Sequence, residues 1–167
     1  MNELLKAEKE ATRALDALAA KRRRLSMVKF SKDYAFDSPQ GPVSLVELFG
    51  EKDQLVVYQF MDVGRDDFCP GCTFFTNNVT ALETLSDNGV SWATVSNMPL
   101  AQIQGYKARM GWNLPFVSSH GTSLAPDCGV TYGFGLSAFL RDGSAVYRTY
   151  FTTARGVDRL LFVNKHP

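Results

Sequence analysis

Gln54-Leu55-Val56-Val57-Tyr58-Gln59-Phe60-Met61, followed after a short polar loop by Phe68-Cys69-Pro70-Gly71-Cys72, decides how this chain folds. The first stretch is nearly all β-branched, aromatic or aliphatic, the composition of a strand covered on both faces, and it makes the central strand of a sheet. Gly64 to Phe68 reads as the loop, and Cys72 to Leu85 as a helix whose Phe75, Val79, Leu82 and Leu85 share one buried face. Asn88-Gly89 ends that helix. A second strand at Val90 to Val95 and a helix from Leu100 to Met110, prepared by Asn97 and Pro99, repeat the strand-helix alternation. Phe116-Val117-Ser118 and Gly135 to Arg141 are shorter strands. Arg141-Asp142-Gly143-Ser144 is a hairpin turn into Ala145 to Phe151, and Val157 to Phe162 a closing helix. The order predicts an α/β fold with a central mixed sheet flanked by helices.

Upstream, Asn2 to Leu25 has helix-forming composition, no Gly or Pro, and Leu4, Ala11, Leu18 and Leu25 seven apart. It reads as one long amphipathic helix with a narrow apolar stripe, suited either to lie across the domain or to pair with a second copy of itself. The cations Lys21 to Arg24 complement the dipole at its C-terminal end. Ser38-Pro39-Gln40-Gly41-Pro42 marks a turn, and Ser44 to Phe49 a single helical turn. The division expected is a helical extension over residues 1–30 and one domain over 31–167.

Composition narrows the function. The chain has 167 residues, 45% of them hydrophobic and 12% aromatic, enough for a single well-filled core without a disulfide scaffold. Its net charge of +1 gives no global field for nucleic acid or an anionic membrane. Charges at Glu3, Lys6, Glu8, Lys9 and Glu10 interrupt any secretory signal, and no apolar run approaches the ~20 residues of a membrane span, so a cytoplasmic protein is expected. There is no phosphate-binding glycine loop and no G-x-S-x-G nucleophile turn, so neither a cofactor nor hydrolase chemistry is expected.

The chemistry then falls to the cysteines. Cys69 and Cys72 stand where the loop after the central strand becomes a helix. Free backbone N–H groups and the positive dipole end at such a position favour a thiolate on the first cysteine, and Pro70 suits the first helical turn because its missing N–H would have no partner. The second cysteine, one turn on, can reach the first and release a mixed disulfide. Arg65 favours the Cys69 thiolate while Asp66 and Asp67 oppose it, and Phe68 offers an apolar docking wall. Two other readings of the cysteines stand beside this one. They are small buried residues at a helix start, or Cys69, Cys72, Cys128 and His120 form a zinc set, although the second pair lacks knuckle spacing and no metal is expected. His166 lies in the terminal tail.

Four further stretches, RRRLSMVKF, YAFDSPQGPVSLVELF, ARMGWNLPFVSS and VYRTYFTTARGVD, resemble a bacterial group of thioredoxin-like proteins of undefined function. That group is related to the alkyl hydroperoxide reductase and thiol-specific antioxidant proteins. The resemblance runs from about Leu4 to Asp158 and implies a thioredoxin-like fold, with Cys69 as nucleophile and Cys72 as resolving thiol. It further implies that Phe68, Pro70 and Gly71 of the active-site loop, and Ser137 in Gly135 to Phe139, meet substrate. Two departures stand out. Gly135 to Phe139 carries none of the proline that thioredoxins place before the strand facing their cysteines, and Asp66 stands where peroxiredoxins set a threonine. Arg109 and Arg141 are the arginines available to orient a peroxide-reacting cysteine. Three functions follow: a thiol–disulfide oxidoreductase acting on protein or small disulfides, a peroxiredoxin-like thiol peroxidase, and a non-catalytic binding module whose N-terminal helix recruits a partner or a second copy.

Overall fold

A computed structural model describes residues 2–65, 67–79 and 82–158. Helix α1 (Asn2–Arg22) leads into strand β1 (Val28–Phe30) and the hairpin β2 (Ala35–Ser38) and β3 (Gly41–Ser44). A single 3₁₀ turn, Glu47–Phe49, precedes β4 (Gln54–Phe60). Then come α2 (Pro70–Asn78), α3 (Leu82–Asp87), β5 (Val90–Ser96), α4 (Leu100–Met110), β6 (Phe116–Ser118) and α5 (Leu124–Asp127). The chain continues through β7 (Gly135–Asp142) and β8 (Ala145–Thr153) to α6 (Arg155–Asp158). The last four positions of the helix expected at Val157 to Phe162 lie outside the described residues. Among the described residues no helix is long and apolar enough to cross a membrane.

The eight strands form one sheet in the order β1-β8-β7-β4-β5-β6-β2-β3, with β4–β5 and β5–β6 parallel and the other pairs antiparallel. β4 is central, and its alternation explains its composition. Leu55 and Val57 enter one core with Phe36, Phe49, Val95 and Phe139, while Tyr58 and Phe60 enter a second with Phe75, Ile103, Tyr106 and Leu136. The first core is roofed by the β2–β3 hairpin, the 3₁₀ turn and α5, the second by α2 and α4.

Two details depart from the sequence expectation and two refine it. The single helix over Cys72 to Leu85 is two helices, because α2 stops at Val79, whose ψ of 102° is extended. Asn78 turns its Nδ2 back to the Phe74 carbonyl (2.8 Å), and β-branched Val79 follows it, so side-chain competition and low propensity end the helix. The Ser38 to Pro42 turn is the tip of a hairpin, Gly41 taking φ +114° and Ser38 Oγ donating to its carbonyl at 2.6 Å. The turn at Ser44 to Phe49 is 3₁₀ and closed by a reciprocal capping box. Glu47 N–H donates to Ser44 Oγ (3.2 Å), and Ser44 N–H to Glu47 Oε2 (2.6 Å). Finally, α1 ends at Arg22, short of Leu25, and β1 within residues 1–30 already belongs to the sheet, paired with β8.

Candidate functional site

Cys69 caps α2. Its backbone is still outside the helix (φ −58°, ψ 114°), and its Sγ accepts the Cys72 N–H at 3.2 Å, while Pro70 takes the first helical position. A sulfur replaces the usual capping oxygen, so the thiol of the first cysteine sits against the free donors of the helix start. Both cysteines are unbridged and buried, Cys69 at 4% exposure and Cys72 at 0%. Cys69 is thus the outer thiol and Cys72 the inner one.

Cys72 Sγ accepts the Met61 N–H at 3.4 Å at the end of β4. Burial, reinforced by the neighbouring Cys69 thiol, pushes the Cys72 thiol up to about 12, with Tyr58 and the Met61 N–H opposing in part. The Tyr58 hydroxyl, buried close to both thiols, is raised well above its ordinary range, first by burial and then by Cys72. The inner thiol and this phenol therefore hold their protons at neutral pH.

Two side-chain bonds tie α2 to the next layer: Thr73 Oγ1 meets the Tyr106 hydroxyl of α4, and Trp112 Nε1 donates to Asn77 Oδ1 at 2.7 Å. Phe68 stacks on Tyr106 with ring centroids 3.5 Å apart and planes 9° apart. The Arg109 guanidinium lies 4.8 Å from the Phe68 ring centre and 4.9 Å from that of Tyr106. The loop ahead of the cysteines is shaped by its aspartates. Asp62 Oδ1 accepts from Gly64 N–H (2.9 Å) and Asp67 Oδ1 from Phe68 N–H (2.8 Å).

The structure thus brings Phe68, Cys69, Pro70, Gly71 and Cys72 together, with Pro70 and Gly71 exposed and Phe68 half-buried. Ser137 is elsewhere. It pairs with Val57 across β4–β7 and is fully buried, which puts it on the side of the core holding Val57 and Cys128, the opposite face of the sheet from the cysteine pair. Leu136, one residue away, is the β7 side chain that packs with Cys69 and Cys72. Cys128 lies in the other core, so the three cysteines do not converge, and His120 is engaged with the Asn97 carbonyl at 3.0 Å. Among the described residues no cluster of ligating side chains is assembled to hold a metal. Arg141 is at the far end of β7 on the Gly50 carbonyl (3.2 Å), whereas Arg109 lies over Phe68, the residue before Cys69, and Arg65 lines the same groove as Arg109. Asp66 lies outside the described residues. Tyr58, Tyr106 and Thr73 escaped the sequence reading. Ile103, Tyr106 and Met110, spaced three and four apart on α4, were the signal that turns Tyr106 inward.

The solved structures that this chain resembles share its fold. Peroxiredoxin 6 of Arenicola marina superposes with a TM-score of 0.61 at 16% identity, over 84% of this chain and 72% of that one. A thiol:disulfide interchange protein from a Bacteroides species gives 0.60 at 10% identity, over 81% and 88%. Peroxiredoxin Q of Xanthomonas campestris gives 0.51 at 17% identity, over 86% and 97%. The chain therefore has a thioredoxin-like fold with an added N-terminal helix, as its sequence motifs implied. No curated protein matches it in sequence. A family model described as a bacterial protein of unknown function (DUF899) matches residues 1–165.

Proposed function

Because the chain belongs to the bacterial family of unknown function DUF899, whose description assigns no chemistry, we propose from the site itself that it is a thiol–disulfide oxidoreductase working through Cys69 and Cys72. The observation that carries this reading is the asymmetry of the pair: an outer sulfur capping a helix start on the Cys72 N–H, and an inner thiol held protonated by burial. The Cys69 thiolate attacks one sulfur of a disulfide, forming a Cys69 mixed disulfide and expelling the first thiolate. Cys72 then gives its proton to that thiolate and attacks Cys69 Sγ, forming the Cys69–Cys72 disulfide and expelling the second. The substrate gains two electrons and the protein loses two. Keeping Cys72 protonated until the mixed disulfide forms prevents two adjacent thiolates from competing for the low-dielectric site.

An equilibrium titration in defined thiol buffers, with alkylation and mass spectrometry locating the oxidised residues, tests this. A two-electron couple of Cys69 with Cys72 between roughly −120 and −300 mV supports it, and pairing through Cys128 or none at all overturns it. A sulfenic acid forming on Cys69 with peroxide much faster than on free cysteine would assign the site to a thiol peroxidase instead.

The three cysteines suit a reducing compartment, and we place the protein in the cytoplasm, with thiols and disulfides as its partners rather than nucleic acid or membrane. We also propose that α1 pairs with α1 of a second copy. None of its residues is buried, and Leu4 and Leu18 are 68% and 53% exposed. Its first half carries Glu3, Glu8 and Glu10 against Lys6 and Lys9, a net charge of −1, and its last turn Lys21 and Arg22, so an antiparallel pair aligns the helix dipoles favourably with a small charge complement. In this dimer the exposed leucines supply the seam.

A further inference from the structure

Arg109 stands where two grooves beside the cysteine pair meet. The larger, ≈ 820 Å³, runs between the Asp62 to Arg65 loop and α4, and the smaller, ≈ 540 Å³, runs along Asp67, Pro70 and Asn77. Both are walled by Phe68, Tyr106 and Arg109. These volumes suit a small molecule, since ligand clefts commonly hold about 300–1,000 Å³. Cys69 is buried and lines neither groove itself, but Phe68 and Pro70, which flank it in the chain, both line the smaller one.

Arg109 is exposed and makes no ion pair or hydrogen bond among the described residues; its contacts are the two aromatic rings. The carboxylates sharing its grooves, Asp62 and Asp67, each turn an oxygen back to a backbone N–H of their own loop. A guanidinium laid on an aromatic stack is oriented without being consumed, and its fork of N–H donors matches a carboxylate in two parallel bonds.

We propose that the disulfide reduced by this site is a small anionic one. Its carboxylate is held by Arg109, its apolar stem lies on the Phe68–Tyr106 stack, and its sulfurs come over Cys69. The assignment rests on the dithiol reading and adds the substrate class to it. Chemistry is as already described: one substrate disulfide becomes two thiols while the reduced pair becomes a disulfide, with no other reactant. Because Asp62 and Asp67 offset Arg65 and Arg109, recognition acts at contact range, and raising salt weakens it only modestly.

The test is a single-turnover series with the reduced full chain and three disulfides of similar size: 3,3′-dithiodipropionate, neutral 2-hydroxyethyl disulfide and cationic cystamine. Each rate is divided by the rate of the same disulfide with dithiothreitol, which removes intrinsic reactivity. The anionic disulfide is expected to lead. Arg109→Gln should lower the anionic-to-neutral ratio by about tenfold, the scale of one lost charge-assisted hydrogen-bond pair, and Arg109→Lys by less, since it keeps the charge without the fork. An unchanged ratio in Arg109→Gln, or a preference for cystamine, overturns the substrate class while leaving the dithiol reading intact. Failure of the reduced protein to consume any of the three also overturns the substrate class, while the dithiol reading falls only if Cys69 and Cys72 form no couple in the redox titration.

Discussion

The inner thiol offers the sharpest quantitative test. In a Cys69→Ser variant Cys72 is the thiol left at the site, and alkylation by iodoacetamide reports its thiolate fraction. A thiol with the ordinary value of 9.0 is about one part in a hundred thiolate at pH 7, whereas one held near 12 is about one part in a hundred thousand. Burial is the largest cause of the shift and survives loss of Cys69, although the smaller contribution of the Cys69 thiol does not. Cys72 should therefore react up to about a thousandfold more slowly than free cysteine at pH 7, and complete burial of its side chain adds to the delay. The rate should still climb about tenfold per pH unit where free cysteine has levelled off near 9. The same shift links to stability. The folded state holds the thiol neutral, so its contribution is fully present below 9 and is lost as pH rises toward 12, at roughly 1.4 kcal/mol per pH unit. The difference in unfolding free energy between reduced wild type and Cys72→Ser should accordingly shrink above pH 9. An alkylation profile that levels off near 9 under native conditions would refute the claim that burial controls this thiol.

Three further outcomes can be checked. Gly135→Ala places a Cβ 2.8 Å from Val130 Cγ2 and 3.0 Å from Phe151 Cε2, and should cost about 1–3 kcal/mol by overpacking, read as a lower denaturant midpoint with an unchanged slope. Asp127 accepts from Lys32 (2.8 Å), Ser123 (2.7 Å) and Tyr34 (2.8 Å), and these donors, Lys32 first, hold its carboxyl down at about 2. Its stabilisation is present above the ordinary value of 3.8 and lost as pH falls through 2, so Asp127→Asn should lower the Tm at pH 7, with the gap closing by pH 2. Leu15→Lys with Leu18→Lys should convert a dimer to a monomer in sedimentation without changing the far-ultraviolet signature of the sheet. An unaltered mass would place the α1 contact elsewhere.

What was legible in the sequence was what the chain builds locally. The two-faced burial of β4, the cap position of Cys69 and the hairpin turn at Arg141 to Ser144 depend on neighbours within a few residues, and each appears at or near its expected bounds. The β2–β3 hairpin was visible only as its turn, because strands of four residues, one carrying Pro42, have too few positions to show alternation. Helix α5 was hidden for a similar reason: four residues around Pro126 carry no period.

Ser137, tied to substrate by the family resemblance alone, and Arg109 show what only the folded chain decides. Successive residues of a strand face opposite sides, so a site is assigned to the right stretch and the wrong face whenever register is off by one. Ser137 lies in the strand beside the cysteine strand, yet its pairing with Val57 turns it to the Cys128 side, while Leu136 opposite Tyr58 faces the pair. Arg109 is distant from Cys69 in sequence, and no spacing rule joins them. What brings it in is the parallel β4–β5–β6 order, which lays α2 and α4 side by side on one face of the sheet, and the Thr73–Tyr106 contact that holds them there. The proposed nucleophile therefore stands within a single pentapeptide, whereas the groove proposed to select its substrate exists only once two crossover helices share a face.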